Sequence, residues 1–465
     1  GNTIMFEKYN LTKPDNLVGL FEQSVKNYPD RPCLGTKNKN GEYEWITYRE
    51  MGRRIDNLRG GLVNAGLKKG DVVGIISNNS VDWAVIHFAV AGVNAMLVPM
   101  YEAELLHIWE YIIKDSSVKF LFVSKQEIYE KIKDFPSKIS TLEKIYLMTG
   151  DGDNTLAALE KAGEKNPVAP VYPAPEDVAV LVYTSGTTGD PKGVLLMHGN
   201  WTSNHHARTV AYTNFNQEDR TVSHLPWAHC YGLGELHTFT AVGGSLGFLE
   251  SPATIVEDMA KIRPTFLISV PKIFNKVYDT IVTRVNEAGG AKKMLFDMGV
   301  NAAKKRRALA EQGKSSAVAN FKFNLVNKIV FQKIRDLFGG RLEGAVTGSA
   351  AMNPDISKFF FDIGIPLYDV YGLAETSPGI TGNRPSCYRI GSVGQPLDKI
   401  KVVIDQSVVE PGAQDGEIVV YGPNVMKGYH NNAAATAEMM TPDGGVRTGD
   451  RGRLDGDGFL WITGR

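Results

Sequence analysis

The stretch "LVYTSGTTGDPKGVLL", residues 181–196, sets three glycines, four Ser/Thr hydroxyls, one proline and one lysine between two apolar runs. The preceding "DVAVLVYT" reads as a buried strand, and "SGTTGDPKG" as the loop that leaves it. Glycines let successive backbone N–H groups turn to one side and form a nest for an anion. The hydroxyls of Thr184, Ser185, Thr187 and Thr188 add donors, and Lys192 adds a cation. That inventory suits a polyphosphate, and on composition alone it equally suits an ordinary flexible turn. It is not a Walker A loop, because Lys192 is followed by glycine rather than Ser or Thr. No GxGxxG follows an early strand, so a dinucleotide fold has no fingerprint.

Outward from the loop, short apolar runs alternate with helical stretches. "DVVGIISNN" (71–79), "MLVPMY" (96–101), "VKFLFVS" (118–124), "KIYLMTG" (144–150), "TFLISVP" (265–271) and "RLEGAVTGSA" (341–350) predict strands, and "DWAVIHFAVAGVNA" (82–95) predicts a helix. Strands spaced by helices predict parallel sheets wound by crossovers, hence two α/β lobes over residues 1–386. After residue 387 the pattern shifts to short alternating strands. "DGDG" at 455–458 marks a hairpin, and 387–465 is expected to form a small antiparallel β subdomain.

The 51 Lys+Arg balance the 51 Asp+Glu, so no global field favours nucleic acid. Three widely spaced cysteines, Cys33, Cys230 and Cys387, argue against a disulfide scaffold and fit a reducing, cytoplasmic compartment. No CxxC or HExxH supports a zinc site, and neither a membrane span nor a signal peptide is visible. The stretch 304–341 differs from the rest. It holds ten Lys/Arg against Glu311 and Asp336, a net of +8. Leu325, Val326, Ile329, Val330, Ile334, Leu337 and Phe338 form a helical apolar stripe beside them. Peripheral contact with an anionic membrane is one expectation, and a core-packed helix with a solvated basic face is the other.

The string TSGTTGDPKG (184–193) resembles the signature loop of the adenylate-forming enzymes, and further motifs follow in the family's order. "YDVYGLAET" (368–376), "GEIVVYGPNVMKGYHNN" (416–432), "RTGD" (447–450) and "ITGR" (462–465) are similar to its later segments. "LPWAHCYGLGELH" (225–237) and residues 347–378 look like the long-chain fatty acyl-CoA synthetases. The resemblance implies two steps: a fatty acid carboxylate attacks the α-phosphate of ATP, and coenzyme A then displaces AMP. By matched position it implies that Thr184, Ser185, Gly186, Thr187, Thr188, Gly189 and Lys192 cradle phosphate. Thr184 and Glu375 would hold Mg²⁺, and Tyr371 would stack on adenine. Gly348, Ser349 and Ala350 would form a tight strand end at the nucleotide, and Asp369 would accept from the adenine amino group. Val370, Gly372, Leu373 and Ala374 complete the nucleotide wall, Asp450 and Arg465 hold the ribose, and His229 positions the substrate carboxylate.

Two departures qualify the match. Ala374 replaces a threonine common in relatives, with Thr376 on the other side of Glu375 as a candidate substitute. The family also continues beyond GR into a mobile C-terminal domain bearing a catalytic lysine. The 465-residue chain is therefore expected to bind nucleotide yet turn over poorly. Other carboxylic acids, a carrier-protein acceptor and a non-catalytic nucleotide-binding relative remain open at the level of sequence. Oligomeric state is not legible, and a dimer is left open.

Overall fold

The computed structural model describes residues 14–185, 189–212 and 214–465. Its α/β class is the one expected from sequence, built on four sheets. The largest has seven strands. Its parallel part, Val178–Thr184, Met96–Met100, Val72–Ile76, Phe120–Val123 and Lys144–Leu147, carries the runs predicted from sequence. The central strands Val72–Ile76 and Phe120–Val123 are buried throughout and the edge strand Lys144–Leu147 is only partly so, as a sheet with covered faces requires. The helix Val81–Ala91 between them is buried along almost its whole length and carries no apolar stripe, because it lies inside the core. Ser80 caps it, accepting from the Trp83 N–H. Lys192–Met197 adds antiparallel to Val178–Thr184, since the loop between them is too short for a crossover.

A second sheet runs Phe266–Ser269, Gly344–Thr347, Leu367–Gly372, Gly379–Gly382 and Gln395–Pro396, the first three strands parallel and the last two antiparallel. A third joins Tyr43–Thr47, Pro32–Lys37, Ser245–Phe248 and Arg220–Ser223. The fourth, Lys401–Asp405, Gly416–Tyr421, Val446–Leu454 and Leu460–Gly464, is antiparallel throughout. Asp455–Gly458 turns its last hairpin, with the Gly458 N–H on the Asp455 carbonyl and Gly458 at φ 85°. Residues 387–465 supply that sheet, and they also lend Gly428–Tyr429 to the edge of the seven-stranded sheet.

Helices Tyr48–Asn64 and Leu156–Lys165 pack backbone to backbone. A Cβ on Gly163 would lie 1.6 Å from the Asn57 carbonyl oxygen, and one on Gly61 would lie 2.0 Å from that of Leu159. Among the described residues no helix is long and apolar enough to cross a membrane.

Candidate functional site

Four chain segments meet around one cavity of about 580 Å³. The first is the loop quoted at the outset. Antiparallel pairing sets Thr184 opposite Lys192, so the loop between them stands at the sheet's end. Gly189 sits there at φ 85°, a conformation that favours glycine. Gly186, Thr187 and Thr188 lie outside the described residues. Thr184, Ser185 and Lys192 line the cavity, whereas Gly189 does not.

The second segment is the turn Ala374–Thr376, which carries Glu375. The Thr376 hydroxyl accepts from the Leu373 N–H at 3.1 Å and donates to the Pro378 carbonyl at 2.7 Å. It is fully buried and spent on the turn, so it does not replace the hydroxyl missing at Ala374. Glu375 Oε1 accepts from the Tyr429 hydroxyl at 2.8 Å. Tyr429 reaches it because Gly428–Tyr429 pairs beside Val194 and Leu195. Lys192 Nζ stands over the same tyrosine ring, 5.4 Å from its centroid. Lys192, Tyr429 and Glu375 thus form one cluster. The Tyr429 hydroxyl is held protonated by burial first and by the Glu375 charge second.

The third segment is the strand Leu367–Gly372. The Tyr371 hydroxyl donates to Asp450 Oδ2 at 2.6 Å, and Arg465 Nε pairs with Asp450 Oδ1 at 3.2 Å. Tyr371, Gly372, Leu373, Ala374 and Val370 line the cavity with Arg465, while Asp450 stands behind Tyr371. Asp369 is not on the cavity. Its side chain alternates to the other face of the strand, where Oδ1 accepts from the Thr347 hydroxyl at 2.8 Å. Burial there raises its pKa to about 6, against the opposing Thr347 hydrogen bond.

At the end of Gly344–Thr347, the Gly348 N–H donates to the Ser269 carbonyl at 3.1 Å. A Cβ on Gly348 would meet Val370 at 3.0 Å and the Tyr231 ring at 3.3 Å. Ser349 follows at φ 71° and turns the chain. Gly348 and Ser349 therefore face the cavity, and Ala350 faces a separate hollow beside Val270 and Lys272.

The fourth segment is the start of helix Cys230–Ala241. His229 caps it, with Nδ1 accepting from the Tyr231 N–H at 3.1 Å. His229 is an exposed residue, and the cavity wall beside its ring withholds part of the solvent, which lowers its pKa and favours the neutral form. With Nδ1 an acceptor, the ring proton sits on Nε2. Tyr231, Tyr429 and Arg208 also border the cavity and were not singled out from the sequence. Tyr429 lies in the quoted 416–432 stretch, but its partner Glu375 is visible only once the strands are paired.

The sequence pattern of the AMP-binding enzyme family matches residues 21–430. The chain belongs to that family. "Fatty acyl-CoA synthetase A" of Dictyostelium discoideum is 31% identical over 492 residues, spanning 99% of this chain and 69% of its own. The "Long-chain-fatty-acid--CoA ligase FadD15" of Mycobacterium bovis is 30% identical, spanning 98% and 75%. Among solved structures, a long-chain-fatty-acid-CoA ligase (FadD1) from Archaeoglobus fulgidus superposes with a TM-score of 0.75 at 24% identity, over 98% of this chain and 85% of that one. This AMP-binding enzyme has the fold of the N-terminal part of adenylate-forming ligases.

Proposed function

We propose that this AMP-binding enzyme activates a long-chain fatty acid with ATP to acyl-AMP and pyrophosphate, and then transfers the acyl group to coenzyme A. The observation that carries the reading is that a single cavity takes its lining both from Thr184, Ser185, Lys192 and Glu375 and from the apolar side chains Phe215, Phe266, Ile268 and Val346. We assign the apolar part of this cavity, its inner chamber, to the acyl chain. The fatty acid is favoured because relatives at about 30% identity carry that activity in their names.

In this reading one carboxylate oxygen attacks the α-phosphorus, and the bond to pyrophosphate breaks. His229 offers its Nε2–H to the substrate carboxylate and positions it without removing a proton. Thr184, Ser185 and Lys192 receive the phosphates, and Lys192 offsets the charge gathering on pyrophosphate. Tyr371 stacks on adenine while Asp450 and Arg465 take the ribose. The Thr184 hydroxyl and the Glu375 carboxylate are hard oxygen donors on the same cavity wall, and Glu375 has no salt bridge among the described residues. They fit a Mg²⁺ ion, which when bound would neutralise phosphate charge. Thiolate sulfur then attacks the acyl carbonyl carbon, and AMP leaves.

Exchange of labelled pyrophosphate into ATP, measured over a panel of acids, tests this. Among acids with a single carboxylate, palmitate should stimulate exchange more than acetate or benzoate. Stimulation by acetate or benzoate but not palmitate would overturn the chain-length assignment.

Peripheral membrane contact through residues 317–329 belongs to the same proposal. Val318, Phe321, Leu325 and Ile329 recur on one helical face and are 40–69% exposed. Lys304, Lys305, Lys314, Lys322 and Lys328 are exposed nearby. Of the expected stripe only Leu325 and Ile329 are exposed; Val330 and Leu337 are half-buried, and Val326, Ile334 and Phe338 are core residues.

A further inference from the structure

The inner chamber holds two side chains that the proposed reaction does not use. Arg208, on helix His198–Ala211, borders the cavity. Its guanidinium donates to the Thr238 hydroxyl at 2.9 Å, to the Gly234 carbonyl at 3.2 Å and to Asn204 Oδ1. All three acceptors are neutral, and N–H capacity remains on the fork. Arg54, by contrast, is neutralised by Asp82 and Glu160. Arg220 also lacks a carboxylate, but it stacks on Trp45 and does not border the cavity.

Glu235 stands on the same wall, 1% exposed. Its Oε2 accepts from the Thr221 hydroxyl at 3.1 Å. Its Oε1 lies beside the Ile268 backbone without reaching hydrogen-bond geometry. Burial favours its neutral acid form, which can donate. An all-methylene chain asks for neither group, and leaving a desolvated cation unpaired is costly.

We propose that the inner chamber recognises a second, anionic group at the far end of the substrate, so that the preferred acid carries a terminal carboxylate opposite the one activated. The inference rests on reading this cavity as an acyl-adenylate site. Phe215, Phe266 and Ile268 wall the methylene chain, and Arg208 meets the distal carboxylate with its free N–H groups. Thr238, already bound to Arg208, holds the fork in place. A methyl terminus would fill the same space and leave the cation unmatched.

The test is calorimetric titration of two hydrolysis-resistant acyl-adenylate analogues of equal chain length, one ending in methyl and one in carboxylate. The carboxylate-ended analogue should bind at least about tenfold more tightly, equivalent to about 1.4 kcal/mol. Arg208→Met should erase that advantage and leave the methyl-ended analogue's affinity unchanged or improved, while Arg208→Lys should retain part of it. If Arg208→Met fails to fold, the comparison in the unaltered chain still decides. Equal or tighter binding of the methyl-ended analogue would overturn the inference and leave the acyl-adenylate reading standing. Arg208 would then serve only to steady Asn204, which holds the Gly379 backbone. Binding of neither analogue would overturn the acyl-adenylate reading and the inference with it.

Discussion

Among the described residues, little touches the Glu375 carboxylate. Tyr429 supplies one hydrogen bond, and Lys192, the nearby cation of the cluster, is turned to the tyrosine ring instead. A carboxylate kept this free suits a role that grows as charge moves onto the departing phosphates. Glu375→Gln should therefore cut pyrophosphate exchange by about 10²–10³, while calorimetric affinity for a preformed acyl-adenylate analogue changes by only a few fold. Equal losses in both would mean uniform binding. Asp369 makes a different case. Burial raises its carboxyl to about 6 in the folded chain, above its ordinary value of 3.8. The fold thus prefers the protonated form. Its stabilising contribution is complete below about pH 4 and is lost as pH rises through about 6. Asp369→Asn should raise Tm relative to the unaltered chain more at about pH 8 than at about pH 4. A difference independent of pH would contradict this, and a large loss of nucleotide affinity would restore an adenine contact for this side chain.

At the scale of elements, strands were legible because burial on both faces demands continuous apolar runs. The loop 184–193 was legible as a candidate phosphate site because its composition is unusual and its string specific. Arg208 was not, since it lies on a helix with no motif and meets the cavity only through packing against helix Cys230–Ala241. Ala350 and Asp369, expected at the nucleotide, do not line the cavity. The left-handed Ser349 turns one away, and strand alternation turns the other. Nor did the sequence reveal how closely helices Tyr48–Asn64 and Leu156–Lys165 approach. Gly163→Ala puts a methyl into the Asn57 carbonyl and should cost about 1–3 kcal/mol. Gly152→Ala, with open space around it, should be near neutral. Equal Tm shifts by scanning calorimetry would refute this packing. The apolar stripe over 304–341 proved to be divided between core and surface, which sharpens the membrane proposal. Phe321→Ser with Leu325→Ser should reduce co-sedimentation with anionic vesicles. Wild-type sedimentation that does not distinguish neutral from anionic vesicles would end it.

Over the whole molecule, the site depends on segments far apart in the chain. Thr184 and Lys192 come from the seven-stranded sheet, Tyr371 from the second sheet, and Asp450 from the fourth. The late strand Gly428–Tyr429 crosses to the first sheet and carries the tyrosine that ties Glu375 to Lys192. Such an arrangement suits a ligand that spans all of them, with a nucleotide at one end and an acyl chain at the other. The most direct measurement is a crystal structure of the chain soaked with a hydrolysis-resistant fatty acyl-adenylate analogue. Adenine should lie against Tyr371, ribose at Asp450, phosphate within reach of Thr184 and Lys192, and the acyl chain should run past His229 towards Phe266 and Arg208. Density for the nucleotide elsewhere, or an acyl chain leaving over the surface with the inner chamber empty, would contradict this placement.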